Sequence, residues 1–318
     1  MKLLIAALGT LFLLSWGIGA GSASWADLLR LVSGGTVSDS ARTILLELRL
    51  PRLLAAVLAG GMLGAAGGAT QNLFRNDLAS PHVLGVVNAA ALGAVFGLFL
   101  PAIGLTAPAM VTAALSLGLL FLTGGRRNWD GATLILAGIA VNAFTSALTS
   151  GALYLADERL SSLVFWLLGG FWRITWGDVV LLATVALSSW GVLFRLAPEL
   201  DLLLLGDRFA ELSGVRMRRL KPLLMLTVAT LSATVVSCCG VIGFVGLAVP
   251  HMVRMLCGGT FRRLLPGCIL GGGLLLLLAD LLARTVAAPH EIPVGILTAL
   301  AGGPFFFYLL LRRRADRD

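Results

Sequence analysis

The chain has 318 residues, of which 58% are hydrophobic and only 13% are charged. Soluble globular proteins carry about 25% charged residues, so the composition excludes an ordinary soluble domain and indicates an integral membrane protein. The formal net charge of +8 would suggest nucleic-acid binding in a soluble protein. Here the basic residues lie mostly in short connections between apolar stretches, where they act as orientation signals instead.

The first predicted element is an apolar run from Leu3 to Ala20, which follows Lys2 and precedes the small residues at 22–24. This pattern resembles a secretory signal peptide. The charge-free stretch continues to Ala26, however, and is long enough to span a bilayer. We therefore predict a retained first transmembrane helix, with cleavage as the alternative.

Nine further spans are predicted from charge-free stretches, because a helix needs about 20 apolar residues to cross the hydrocarbon core. They lie in residues 53–74, 78–125 (two spans), 131–156, 179–194, 222–253 (a full span and a short helix), 264–283 and 292–311. The apolar segment 160–172 is too short to span and carries aromatic residues typical of a membrane boundary, so it is predicted as an external interfacial or re-entrant helix. The expected fold is a single all-α membrane bundle of about ten helices over residues 1–318.

The basic residues predict the orientation of this bundle. An even number of spans places both termini on one side, and a cytoplasmic N-terminus puts 17 of the 24 basic residues inside. This bias predicts that both termini are cytoplasmic. The external minority consists of Arg30, Arg42, Arg49, Arg52, Arg159, Arg173 and Arg284.

Motifs that carry chemistry are sparse in this sequence. A P-loop requires a Gly-Lys-Ser/Thr triplet, but the two lysines, Lys2 and Lys221, are followed by Leu3 and Pro222. An ATP-driven transporter would therefore need a separate ATPase chain. No cluster of His, Cys or carboxylates indicates an enzyme, a metal site or a cofactor, and the four cysteines are predicted to be small buried apolar residues.

Asp280 is the candidate residue for ion coupling, because ion-coupled carriers use carboxylates deep in the membrane. It lies four residues before Arg284, so the two share a helix face. We predict an ion pair near the end of the span, with a proton relay as the alternative. An ion-coupled secondary transporter therefore stays the alternative function.

The longest predicted cytoplasmic loop covers about residues 197–221. Within it, Asp207 can cap a short helix and Gly214 can end it with a left-handed turn. A short amphipathic helix at this place could be bound by a partner protein. A solvated loop carrying orientation charges is equally consistent with the spacing.

Several stretches, in order from about residue 48 to the C-terminus, resemble the FecCD/BtuC-type permease family of ABC importers. They are residues 48–52, 71–79, 85–86, 136–140, 166–170, 243–251, 262–266, 279–284 and 292–295. Two departures from the family pattern occur. The usual Asn-Pro-Leu-Ala is replaced by a sequence with Asp77 at the proline position, and the usual Leu-Gly-Val begins here with Ser213.

The resemblance implies a BtuC-like permease that is not itself an enzyme and works as a homodimer in the bacterial inner membrane. It also implies two ABC ATPase subunits, which carry ATP and Mg²⁺, and a periplasmic substrate-binding protein. The implied substrates are iron–siderophore, haem or cobalamin complexes, which pass along the dimer interface.

The resemblance further implies three sets of site residues. Docking of the binding protein falls on an external ring of positive charge formed by Arg49, Arg52 and Arg284. Headgroup binding or local ion pairing is the alternative role of these arginines. Contact with the ATPase falls on Gly206, Asp207, Arg208, Phe209, Ala210, Glu211, Leu212, Ser213, Gly214 and Val215. The inner gate falls on Asn76, Leu78, Trp129, Asp130 and Gly131.

Overall fold

A computed structural model describes residues 1–19, 23–100, 103–126, 129–155 and 160–315, and within these ranges the chain is helical without a strand. Arg127, Arg159 and Arg317, which contributed to the predicted charge bias, lie outside the described residues. The helices are α1 (Lys2–Gly17), α2 (Trp25–Val32), α3 (Asp39–Thr43), α4 (Leu50–Phe74), α5 (Val86–Phe99), α6 (Thr106–Arg126), α7 (Gly131–Tyr154), α8 (Leu160–Leu167), α9 (Trp176–Leu204), α10 (Asp207–Leu212), α11 (Met217–Cys239), α12 (Val245–Cys257), α13 (Phe261–Thr285) and α14 (Val294–Ala315). A π-helical turn (Ile44–Arg49) leads into α4, and a 3-10 turn (Pro81–Leu84) precedes α5.

Membrane-spanning helices dominate the described part of the chain. Six helical segments are long and apolar enough to cross a bilayer, namely α3–α4 with the turn between them, α6, α7, α9, α11 and α13. Four shorter apolar helices, α1, α5, α12 and α14, accompany them. The expected all-helical membrane bundle is confirmed, and the approximate count of ten corresponds to these two groups together.

Helix α4 forms the centre of the bundle, and most of it is buried. Its glycines allow the backbones of neighbouring helices to touch it. A Cβ atom on Gly60 would lie 2.1 Å from the carbonyl oxygen of Gly272 in α13, and one on Gly67 would lie 1.9 Å from that of Gly246 in α12. Gly60 and Gly67 therefore allow backbone-to-backbone packing, as small residues do in membrane bundles.

The predicted loop at 197–221 is mostly helical. Helix α9 continues to Leu204, ten residues beyond the predicted span end at Phe194, and α11 begins at Met217. Charged residues indicate where the membrane ends, but they do not indicate where a helix ends, and α9 continues beyond the predicted span. Asp201 supports the extension, since its carboxylate accepts a hydrogen bond from the backbone N–H of Phe261 at the start of α13.

The segment 160–172 turns back against the bundle. The chain turns at Gly169, which has φ +72°, and Gly170 donates a hydrogen bond to the carbonyl oxygen of Cys239 over 2.8 Å. Trp166 and Phe171 are buried in the core, whereas Phe165 and Trp176 are exposed. The re-entrant alternative describes this segment better.

Candidate functional site

The three predicted docking arginines come together at the end of the bundle that the charge bias places outside. Arg49 ends the π-helical turn, Arg52 lies in the first turn of α4, and Arg284 lies in the last turn of α13. All three line one cavity of about 520 Å³, together with Glu291 from the segment between α13 and α14. The three arginines that the sequence analysis grouped together are therefore neighbours in the structure.

Two of these arginines hold the carbonyl end of α1. The guanidinium of Arg49 donates to the carbonyl oxygens of residues 16, 17, 19 and 23 over 3.0–3.3 Å. That of Arg284 donates to the carbonyl oxygens of Ser15 and Ile18 over 3.3 and 3.0 Å. The last carbonyls of a helix lack partners within it and carry partial negative charge, so these two cations satisfy and neutralise them.

A buried carboxylate connects the other side of the cluster. Asp280 lies 2.9 Å from the Nε atom of Arg52 and 3.1 Å from that of Arg284. Arg52 also binds both carboxylate oxygens of Glu291 over 2.9 Å. The predicted Asp280–Arg284 ion pair is confirmed, and its geometry is that of a structural network rather than a proton relay.

The exposure expected for these arginines is wrong. Arg49 and Arg284 are only 5% and 6% exposed, because α1 packs over them, and the side chain of Arg52 is 11% exposed. The alternative of local ion pairing describes the contacts of Arg52 and one contact of Arg284, whereas the bonds of Arg49 described above go to carbonyl oxygens. Glu291 was missed because its partner lies 239 residues away in sequence, and only a pattern of residues that vary together could have indicated the pair.

The predicted ATPase-contacting segment forms α10 at the opposite end of the bundle. The capping role expected for Asp207 is wrong, because the helix begins after Gly206, which has φ +117°, and no side chain caps it. Gly214 does adopt the expected left-handed conformation, with φ +91°. Ala210 is buried against the bundle, whereas Phe209 and Leu212 are exposed.

Asp207 makes two ion pairs instead of capping α10. Its carboxylate lies 2.6 Å from the Nζ atom of Lys221 in α11 and 3.5 Å from the guanidinium of Arg75, the residue after α4. Lys221 also donates to the carbonyl oxygen of Trp129, in the turn between α6 and α7, over 3.1 Å. Sequence analysis missed this arrangement, although Lys221 is one of only two lysines in the chain.

The predicted inner-gate residues occupy two turns at this same end of the bundle. In the first turn, the side-chain oxygen of Asn76 accepts a hydrogen bond from the backbone N–H of Leu78 over 2.9 Å. Asp77, at the position of the family proline, forms an ion pair of 3.6 Å with Arg254 of α12. The turn is therefore held by side-chain contacts in place of proline.

The second turn leads into α7. Trp129 has φ +59°, and Asp130 caps the helix by accepting a hydrogen bond from the backbone N–H of Thr133 over 3.0 Å. This hydrogen bond is the main reason that the pKa of Asp130 lies below its usual value. Gly131 follows as the first residue of α7, close to Phe74 at the end of α4.

Comparisons with known proteins agree over nearly the whole chain. A sequence model of the FecCD transport family matches residues 4–312. The hemin transport system permease protein HmuU of Yersinia pestis is 39% identical over 98% of this chain and 97% of its own length. The vitamin B12 import system permease protein BtuC of Salmonella typhi is 36% identical over 89% of this chain and 88% of its own.

The Fe(3+) dicitrate transport system permease protein FecD of Escherichia coli (strain K12) is 38% identical over 85% of this chain and 86% of its own length. Among solved structures, a metal-chelate type ABC transporter in an inward-facing conformation is 33% identical, with a TM-score of 0.88 and 97% of each chain covered. The helical arrangement described above is therefore shared with a transport protein.

Proposed function

Because the chain belongs to the FecCD transport family of ABC importer permeases, we propose that it carries an iron–siderophore, haem or cobalamin complex across the bacterial inner membrane. The single observation that carries this proposal is the family match over residues 4–312. The permeases for hemin, Fe(3+) dicitrate and vitamin B12 that resemble this chain support the substrate class. Each of these substrates is a bulky metal chelate.

The proposed partners are a second permease copy, two ABC ATPase subunits that bind ATP and Mg²⁺, and a periplasmic substrate-binding protein. Helix α7 supports the second copy, because most of it is exposed, whereas α4 is mostly buried. Small residues, including Ala143, Ala147 and Ser150, occupy exposed positions of α7. Leu136, Ile139 and Phe144 are exposed on the same helix, so its surface is mixed, and its small residues would allow a second copy to pack closely.

The proposed function is tested by reconstituting the permease with its ATPase and binding protein in proteoliposomes. We expect uptake of a ferric siderophore, haem or cobalamin to require ATP hydrolysis and to persist when ion gradients are dissipated. The three chelates are tested separately, so the same experiment identifies the substrate. Uptake that follows an ion gradient without the ATPase would contradict the proposal and favour a secondary transporter.

We place the ATPase contact on the segment from Gly206 to Val215, with Phe209 and Leu212 as its exposed apolar residues. Leu212 is 83% exposed and lies beyond the membrane-spanning part of the chain. Exposed apolar side chains at such a place are typical of a protein interface. Because Ala210 faces the bundle, we assign the contact to Phe209 and Leu212 on the outer side of α10.

Replacing Leu212 with glutamate should release the ATPase. A charge placed in the apolar centre of an interface weakens binding by about 2 kcal/mol or more, about thirtyfold in affinity. The measurement is retention of the ATPase by the detergent-solubilised permease, followed by ATP-dependent uptake. Leu29→Glu is the matched control, because Leu29 is 65% exposed at the opposite end of the molecule. Equal ATPase retention by the two variants would exclude α10 as the contact.

The other two site assignments are also proposals. We assign docking of the binding protein to the cavity lined by Arg49, Arg52 and Arg284, where three guanidinium groups face the two carboxylates of Asp280 and Glu291. The excess of positive charge would attract acidic side chains of a partner.

The inner gate is assigned to the turns that contain Asn76, Leu78, Trp129, Asp130 and Gly131, which lie at the same end as α10.

A further inference from the structure

The contacts of Lys221 connect three separate parts of the chain at the cytoplasmic end. Its ammonium group lies 2.6 Å from the carboxylate of Asp207 on α10 and 3.1 Å from the carbonyl oxygen of Trp129. The side chain is only 5% exposed. A buried ammonium that loses its carboxylate is strongly unfavourable, so Lys221 and Asp207 must move together.

The carboxylate of Asp207 reaches the first inner turn as well. Its other oxygen lies 3.5 Å from the guanidinium of Arg75, which immediately precedes Asn76. One residue of α10 therefore contacts the first turn directly through Arg75 and the second turn indirectly through Lys221. Three polar contacts therefore connect residues that lie as far apart in sequence as Arg75 and Lys221.

The backbone conformation of both turns gives a second, independent observation. Arg75 has φ +46° and Trp129 has φ +59°, and they are two of the three residues other than glycine with positive φ in the described chain. A left-handed conformation is costly for such residues and persists only where the surroundings hold it. Both left-handed residues are contacted by the ion pair described above, since Asp207 binds the side chain of Arg75 and Lys221 binds the carbonyl oxygen of Trp129.

We propose that Asp207 and Lys221 form a charged junction that transmits displacement of α10 to both turns of the inner mouth. Lys221 is a positioning residue for transport, and it need not contact the substrate. The inference rests on the proposed function, in which α10 binds the ATPase. The junction supplies a continuous set of contacts between that helix and the gate, along which coupling can travel.

The test is a double-mutant cycle in the assembled transporter with Lys221→Met, Asp207→Asn and both changes together. Methionine fills the buried volume of the lysine without its charge. We expect each single variant to lower the substrate transported per ATP hydrolysed by about tenfold, and the double variant to be no worse than either single variant. Arg219→Met is the matched control, because it removes a positive charge from an exposed position of the same helix.

A second measurement separates transmission from simple loss of stability. Cysteine introduced by Asn76→Cys in both permease copies, with the native cysteines replaced by alanine, reports the separation of the first turns by crosslinking. We expect the yield to depend on bound nucleotide in the parent and to lose that dependence in Lys221→Met. Should Lys221→Met fail to assemble, Arg75→Met supplies the same test, because Arg75 is 47% exposed and its loss removes only the contact of Asp207 with the first turn.

The outcomes distinguish the junction from the proposed function. Normal transport per ATP in both single variants, or additive losses in the double variant, would overturn the junction. If Leu212→Glu blocks transport while Lys221→Met behaves as the parent does, α10 remains the ATPase contact and only the junction is wrong. If Leu212→Glu transports normally, the ATPase contact itself is wrong.

Discussion

Replacing Gly67 with alanine should prevent the bundle from packing. The added Cβ atom would lie 1.9 Å from the carbonyl oxygen of Gly246 and 2.6 Å from its Cα atom. Both are backbone atoms of α12, so relief requires two helices to separate. Overpacking by one methyl group costs about 1–3 kcal/mol where side chains can adjust, and we expect the upper end of that range or more here. The measurement is the yield of monodisperse protein and its thermal unfolding temperature.

Gly118→Ala is the matched control for this prediction. Gly118 lies within α6, and a Cβ atom there would meet nothing within 4 Å. Because alanine favours a helix over glycine by about 1 kcal/mol, this variant should be as stable as the parent or more so. The two identical substitutions are therefore expected to change stability in opposite directions. Equal unfolding temperatures would show that α4 and α12 are not in backbone contact.

Replacing Asp280 with asparagine should destabilise the outer end of the bundle. The substitution keeps the shape of the side chain but leaves Arg52 and Arg284 without their shared buried carboxylate. Removal of one partner from a buried ion pair costs about 3–5 kcal/mol, because the remaining charge has lost its compensation. The expected result is a large drop in thermal unfolding temperature.

Glu291→Gln provides the comparison for Asp280. Glu291 is half-buried, and its loss leaves Arg52 bound to Asp280. Partly exposed pairs contribute about 0–1 kcal/mol, so this variant should lose far less stability. If the two variants unfold at the same temperature, the buried carboxylate does not organise the cluster.

Sequence periodicity and charge predicted the large features of this protein well. Helices of membrane length follow from apolar runs, as the six long apolar helical segments show. The extension of α9 to Leu204 was missed, because a count of charge-free residues detects the membrane and not the helix. Helix ends in water depend on capping and distant contacts, such as that of Asp201 with α13.

The sequence predicted which candidate-site residues lie together better than it predicted their burial and their contacts. Arg49, Arg52 and Arg284 meet as expected, but their burial depends on α1, which is far from Arg284 in sequence. Likewise, the local rule that an aspartate caps a helix was overridden at Asp207 by an ion pair with Lys221. A single residue in the sequence gives no indication of a partner far along the chain. Helices and short motifs, by contrast, can be recognised from neighbouring residues.

The binding of α1 by Arg284 also bears on how the chain is made. Helix α1 is synthesised before α13, and the arginine that bonds the Ile18 carbonyl follows 266 residues later. Those hydrogen bonds cannot form until α13 has emerged from the ribosome and been inserted. The carbonyl end of α1 is thus completed only after α13 has joined it, and a nascent chain interrupted before α13 leaves that end of α1 without this partner.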